Sequence, residues 1–262
     1  MSLPRPIHAL TAAAAAVAVA LGPTALPASA VPAQDLPSAG RLTSAVPAQD
    51  LPSADQLTSA LLTAADLGPG HTEIPVTQSP STGEGPIPVT GCAALSALIN
   101  MHAAQTGTDV QRAAVALDGP GGNPVVTQVL AAEVPDRLAA DFDTAVDALR
   151  TCHSITFNAG PEDTVTFTVT PVTLGDRKEA PAVHLDGTLA GVRLSAYIGI
   201  ERFGNVAMAF GYFERLGTSE QTASEQTASE QYRTAVAKIE RILGAKAGST
   251  TAPTAAGPGV SV

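Results

Sequence analysis

Val192-Arg-Leu-Ser-Ala-Tyr-Ile-Gly-Ile-Glu-Arg-Phe203, Gly204-Asn205, Val206-Ala-Met-Ala-Phe-Gly-Tyr-Phe-Glu-Arg215 is a pair of alternating runs joined by two residues. Alternation with period two is the mark of a β-strand, and Gly at the first position of a two-residue loop suits a type II′ hairpin turn. Phe203 then pairs with Val206, and alternation assigns every side chain to a face. Leu194, Ala196, Ile198 and Ile200 share one face with Ala207, Ala209, Gly211 and Phe213. That face is apolar and mostly small, so it is expected to pack closely under helices. The other face holds Arg193, Ser195, Tyr197 and Glu201 with Met208, Phe210, Tyr212 and Glu214, and it places Tyr197 opposite Tyr212. Aromatics, a flexible Met and a few charges are the composition of a binding groove. Arg193, Tyr197, Glu201, Met208 and Tyr212 are therefore the candidate ligand-binding residues, on a face expected to meet solvent, a loop or a ligand. An ordinary amphipathic sheet surface with a cross-strand aromatic pair is the plainer reading of the same residues.

Further strands surround this hairpin. Val165, Phe167 and Val169 alternate with Thr164, Thr166 and Thr168, as in a half-buried strand. Ala182–Leu189 follows it. Earlier, Val110–Leu117 and Val125–Val134 flank the turn Gly119-Pro-Gly-Gly-Asn123, and a short strand is expected near Thr72–Thr77. Helices lie at both ends of the series. Ser53 is a candidate N-cap for a first helix carrying Leu57, Leu61 and Leu62, stopped by Gly68-Pro69-Gly70. Cys92 to Ala103 reads as a second helix. Pro135 opens a third, with Leu138, Phe142, Val146 and Leu149 at helical spacing up to Cys152. Tyr232, Val236, Ile239 and Leu243 mark the last, ending at Gly244. Adjacent strands with short turns favour an antiparallel sheet, so the expected class is α+β: an antiparallel β-sheet packed with a few α-helices and one disulfide.

The chain ends are different in kind. Residues 1–30 read as a secretory signal peptide, with Arg5, the apolar stretch Ala9 to Leu21 and the small-x-small site Ala28-Ser29-Ala30. Residues 31–52 are a Pro/Ala-rich leader. It belongs to a fifteen-residue tandem duplication beginning at Val31 and again at Val46, and it is expected to be disordered. The ligand-binding domain is expected over 53–245 and a disordered tail over 246–262. The five-residue repeat at Ser219, Ser224 and Ser229 reads as a lengthened loop or helix N-terminus. No later segment is long and apolar enough to span a bilayer, so no integral membrane segment is expected after cleavage. Two cysteines in an exported chain most simply pair, which makes Cys92–Cys152 the expected disulfide.

Charge and motifs narrow the chemistry. The chain has 14 basic and 24 acidic residues, and loss of Arg5 with the signal leaves a net charge of −11. Nucleic acids and anionic membranes want a basic patch, so neither is an expected partner. His71, His102, His153 and His184 lack zinc-hydrolase spacing, and two isolated cysteines make no metal site. The sequence has no G-x-S-x-G elbow or Ser-x-x-Lys, and Gly119–Gly122 is too turn-like for a phosphate loop. Asp141, Asp143 and Asp147 crowd one helix and read as a solvated face. His184 and Asp186 share a strand face without a nucleophile placed beside them by the sequence. No catalytic residue, cofactor or metal is therefore assigned.

Several stretches together resemble a known family. They are Leu57…Leu61-Leu62-Thr-Ala-Ala-Asp66-Leu67-Gly68, Gly91-Cys92 before a helix, the strand pair Val110–Val134, and Asp141-Phe142…Leu149-Arg-Thr-Cys152. They resemble the PknH-type extracellular sensor domain, found on mycobacterial receptor kinases and on exported actinobacterial sensor-domain proteins and lipoproteins. The resemblance covers roughly residues 53–245 and implies an α+β domain with a cleft for an unidentified ligand. These 262 residues hold no kinase domain and only two cysteines, fewer than the kinase-attached domain. The expectation is a secreted, monomeric, non-catalytic sensor-like domain. Its partner is an extracellular small molecule or a cell-envelope component. A lipid or envelope carrier is the first alternative and a secreted hydrolase the second. N-terminal sequencing of protein from the culture medium should begin at Val31; secreted protein that retains Met1 would refute the cleavage site.

Overall fold

The computed structural model describes residues 51–75, 89–93, 110–158, 164–216 and 221–250, the side chains of 221–223 excepted. The expected signal peptide, almost all of the leader, the helix after Cys92 and the chain beyond residue 250 lie outside these residues.

Ser53 caps helix α1 (Ala54–Ala60) through a capping box with Gln56, which satisfies two of the amides that a helix start leaves unpaired. At the start of α2 (Ala64–Leu67) the Asp66 carboxylate accepts both the N–H and the hydroxyl of Thr63. Gly68 ends α2 at φ 94°, a backbone angle that Gly reaches without strain. The strands are β1 (Thr72–Ile74), β2 (Val89–Thr90), β3 (Gln111–Asp118), β4 (Val125–Ala132), β5 (Ser154–Asn158), β6 (Thr164–Val172), β7 (Ala182–Leu189), β8 (Val192–Phe203) and β9 (Val206–Leu216). Between β4 and β5 runs α3 (Pro135–Thr151), with Pro135 in its first turn, and after β9 comes α4 (Gln221–Leu243). The nine strands form one antiparallel sheet ordered β1-β3-β4-β9-β8-β7-β6-β5-β2. The fold is α+β, as expected. Strand β5 was not foreseen, because its five residues show no signal beyond Ile155 and Phe157.

The register of the deciding hairpin is the one read from the sequence. Phe203 pairs with Val206, Tyr197 pairs with Tyr212, and Gly204 takes φ 66° while Asn205 keeps an ordinary negative φ, the signature of a II′ turn. The small apolar face packs as expected. Ala196, Ile198, Ile200, Ala207 and Ala209 form one core with Leu138, Ala145 and Leu149 of α3. Cys92 and Cys152 join that core as a disulfide with Cα atoms 5.5 Å apart, closing a loop of 60 residues. Loop-closure entropy gives such a link about 4 kcal/mol.

The assignment of the second face needs correction. It was expected to be open, but over the central strands it is buried as well. Tyr197, Met208, Phe210 and Tyr212 belong to a second core with Leu57 of α1 and with Ala228, Tyr232, Ala235 and Ile239 of α4. Tyr197 and Tyr212 are each 2% exposed, Met208 0% and Glu201 3%. The physical reason is position in the sheet. β8 and β9 are interior strands of a nine-stranded sheet, and helices pack on both sides of it, so both faces of this hairpin lose water. The key that seats α4 is Gly199. It lacks a side chain where the Tyr232 ring lies, and the ring meets Phe210 edge-on at a centroid distance of 5.5 Å.

Polar groups fasten the same layer. The Gln128 carbonyl accepts the Leu62 N–H at 2.6 Å, and the Lys238 ammonium of α4 meets the Asp66 carboxylate of α2 at 2.6 Å. Helix α4 begins earlier than its apolar residues indicate. From Gln221 onward the serine repeat belongs to its N-terminal half, where Ser224 and Ala228 are buried one turn apart. The tail is also corrected in part. Residues 246–250 do not leave the domain: Gly248 N–H donates to the Arg202 carbonyl at 2.7 Å, and Gly204 N–H to the Ser249 carbonyl at 2.8 Å. They cover the hairpin tip and leave Asn205 fully buried.

Replacing Gly199 by Ala puts a methyl 2.8 Å from the Tyr232 ring. Overpacking of this kind costs about 1–3 kcal/mol. Denaturant melts of Gly199→Ala should show that loss, and Gly199→Ala with Tyr232→Phe should not restore it, since the clash is with the ring and not the hydroxyl.

Candidate functional site

The five residues predicted to bind ligand lie on one face but at very different depths. Glu201 and Met208, near the hairpin tip, are structural. Glu201 faces Arg177 at 3.2 Å and accepts the Arg202 amide, and burial raises its pKa. The Met208 sulfur lies 3.6 Å from the Gln128 amide nitrogen. Tyr197 and Tyr212 meet edge-on at a centroid distance of 6.2 Å in mid-face. Arg193 alone is well exposed, at the far end of β8, and its guanidinium grips the Asp186 carboxylate of β7. The structure therefore places Tyr197 and Tyr212 in mid-face, Glu201 and Met208 toward the hairpin tip, and Arg193 at the opposite end of β8.

At that end the sheet gathers more polar chemistry than the prediction named. His184 pairs with Tyr197 across β7 and β8, Asp186 with Ser195, and Ser195 with Glu214 on β9. The His184 Nε2 lies 2.9 Å from the Ser195 hydroxyl, and the imidazole stacks on the Tyr197 ring at 4.5 Å between centroids. Burial lowers the His184 pKa, so the imidazole is neutral at neutral pH, with one ring nitrogen donating and the other accepting. Burial raises the Tyr197 and Tyr212 hydroxyls, and Glu214 beside Tyr212 adds to the effect. Glu225 of α4 is close enough to act electrostatically on both His184 and Tyr197.

A serine hydrogen-bonded to a neutral histidine invites comparison with a hydrolase. The site differs from one in two ways. Ser195 is 2% exposed, and it lies mid-strand with neighbours paired on both sides, so the flanking amides serve the ladders to β7 and β9. An oxyanion needs free donors aimed at it, and a serine inside a sheet has none nearby. Asp186 is turned toward Arg193 at 3.0 Å, where a triad would need it to orient the imidazole. Neutral hydroxyls and an imidazole that both donate and accept, rimmed by an ion pair, suit hydrogen-bond recognition of a polar ligand. The sequence signal for this cluster was the shared parity of His184 and Asp186 on one strand with Ser195 and Tyr197 on the next, and it needed the β7–β8 register to become visible.

The described fold is similar to a domain among the solved structures. Over 74% of this chain and all of that one, it superimposes on the extracellular domain of PknH from Mycobacterium tuberculosis with a TM-score of 0.51 at 15% identity. The two share a fold. No family model matches the chain, and no curated protein matches it in sequence. Among the described residues no helix is long and apolar enough to cross a membrane.

A second titratable group lies on the opposite side of the sheet. Glu133, at the end of β4, is 1% exposed and faces Asp141 of α3, with Arg112 and Arg137 nearby. Burial, then the neighbouring carboxyl, raises the Glu133 pKa to about 7, and burial raises Asp141 too. A carboxyl whose folded pKa exceeds its unfolded value contributes stability that is complete below the unfolded pKa and lost as pH rises through the folded one. Between pH 5 and pH 8 the native protein should thus lose about 1–3 kcal/mol from this group. Glu133→Gln should flatten that slope, being more stable than the parent at pH 8 and nearly equal at pH 5. Denaturant midpoints at the two pH values measure it, and an unchanged slope would remove Glu133 as its source.

Proposed function

We propose that this chain is a secreted, non-catalytic, sensor-like domain that binds a polar extracellular ligand at the Arg193 end of the β7–β8–β9 face. The observation that carries the reading is the fold shared with an extracellular domain along the whole length of that domain. A disulfide in the core fits an oxidising compartment outside the cytoplasm. The recognition groups would be the Arg193–Asp186 pair and the half-buried His184 imidazole, which the buried Ser195 hydroxyl and Tyr197 ring hold in place. Tyr212 supports Tyr197 from behind, and Glu201 and Met208 hold the far end of the face to its helices. An extracellular small molecule and a cell-envelope component both fit such a site. The mature domain would start near residue 53 after a leader, and it would work as a monomer.

The ligand is best caught in place. Native mass spectrometry of protein purified from its own culture medium should show a bound mass beyond the polypeptide. His184→Ala with Arg193→Ala should lose that mass while keeping a melting temperature within a few degrees of the parent, because Arg193 is exposed and His184 only half-buried. Protein recovered bare, or an adduct that survives the double substitution, would refute the site.

A further inference from the structure

The second face of the sheet is not covered throughout. Helices α1, α2 and α4 lie over β3, β4, β9 and β8, and the cover reaches Ala182 of β7 and Val172 of β6. Beyond that line the same face runs on across β6, β5 and β2. It carries Thr164, Thr166, Thr168 and Thr170 on β6, Ser154, Thr156 and Asn158 on β5, and Thr90 on β2. The four threonines of β6 and Thr90 are exposed, and the β5 residues are half-exposed. Their opposite face is apolar and buried, with Ile155, Phe157, Val165, Phe167 and Val169 in the first core. Burial on that side fixes the register, so the hydroxyls cannot turn inward.

Three features of this patch belong together. The first is order. Thr156 is opposite Thr166 with hydroxyls 2.8 Å apart, Thr164 reaches the Asn158 carbonyl at 3.1 Å, and Ser154 is opposite Thr168. Hydroxyls therefore recur about 6.6 Å apart along each strand and about 5 Å apart across strands. The second is neutrality. None of these eight positions carries a charge, in a chain with 24 acidic and 14 basic residues. Exposed strands near a sheet edge usually carry charge to prevent unwanted pairing, and this one does not. The third is the lack of any large apolar or aromatic side chain, the usual anchor for a protein partner. The eight positions give a charged ligand nothing to pair with, the bordering Asp186 carboxylate being already taken by Arg193, and a wholly polar face gives a lipid chain nothing to bury against. Each hydroxyl both donates and accepts, which is the complement of another hydroxyl.

We infer that the β2–β5–β6 face is a docking surface for a neutral polysaccharide, whose repeating hydroxyls match the lattice of threonines. The inference rests on the secreted reading above only for where such a glycan would be met; the patch adjoins the His184 cluster where Thr170 is opposite His184 and Thr168 opposite Asp186, and its β5 and β2 hydroxyls lie beyond β6 from that cluster. Electrophoresis of the full secreted protein through native gels containing dextran, laminarin, xylan or glycogen tests it, with alginate as the charged control. At least one neutral glycan should retard the protein and alginate should not. Thr166→Val with Thr168→Val keeps the shape and the strand preference but removes two hydroxyls. It should weaken the retardation about tenfold, since each lost hydrogen bond is worth a factor of a few. Thr166→Ser with Thr168→Ser restores the hydroxyls and should bind nearly as the parent does. Thr90→Val with Thr156→Val, on the strands away from His184, should weaken the retardation likewise, which separates this surface from the ligand site. No retardation by any of the four neutral glycans overturns the inference. So does retardation by alginate alone, or retardation that the valine variant retains.

Discussion

Tyr232 of α4 sits over Gly199 of β8, and that contact decides which part of the sheet's second face is open. Gly199 leaves a gap where any other residue would place a methyl 2.8 Å from the ring. The aromatic ring fills the gap, packs edge-on against Phe210 and sets the long helix across the hairpin. Everything lateral to it follows. Residues under α4 become core, those at the Arg193 end become a half-open polar cluster, and those on β6, β5 and β2 stay in water. The Lys238–Asp66 pair then binds α4 to α2, so the cover is a connected layer and not one helix alone.

This arrangement gives the sheet three environments on a single face. In the first, aromatics stabilise by burial, and a carboxyl such as Glu201 persists only because Arg177 and a backbone amide meet it. In the second, Ser195 and Tyr197 are buried and dry enough for strong hydrogen bonds, and the cluster reaches solvent only through the half-buried His184 and the Arg193–Asp186 pair. In the third, hydroxyls repeat along the strands and stay in water.

The other side of the sheet has a single task. The disulfide, α3 and the apolar residues of β5 to β9 form one core, and the small side chains of β8 and β9 let α3 approach. Its one discordant feature is Glu133 beside Asp141, two carboxyls where the first turns of α3 leave the sheet. Their raised pKa values make this core more stable in mild acid than at neutral pH.

The local chemistry of this chain was open to reading without a structure. The II′ turn, the β8–β9 register, the Ser53 cap, the Pro135 start and the Cys92–Cys152 pairing each depend on residues close in sequence or on a choice between two thiols. So was the half-buried character of β6, because alternation reports exposure wherever one face is left in water. For the hairpin the same rule misled. Alternation between small apolar and large mixed residues does not say how many helices the chain will lay on the sheet, and Tyr197 and Tyr212 look alike in a groove and in a core. Only the tertiary structure decided that α4 extends back through the serine repeat, crosses Gly199 and buries that face. Only strand pairing across β7 and β8 put Ser195 against His184. Both are contacts between distant parts of the chain, where the free energy lies in packing and not in local preference.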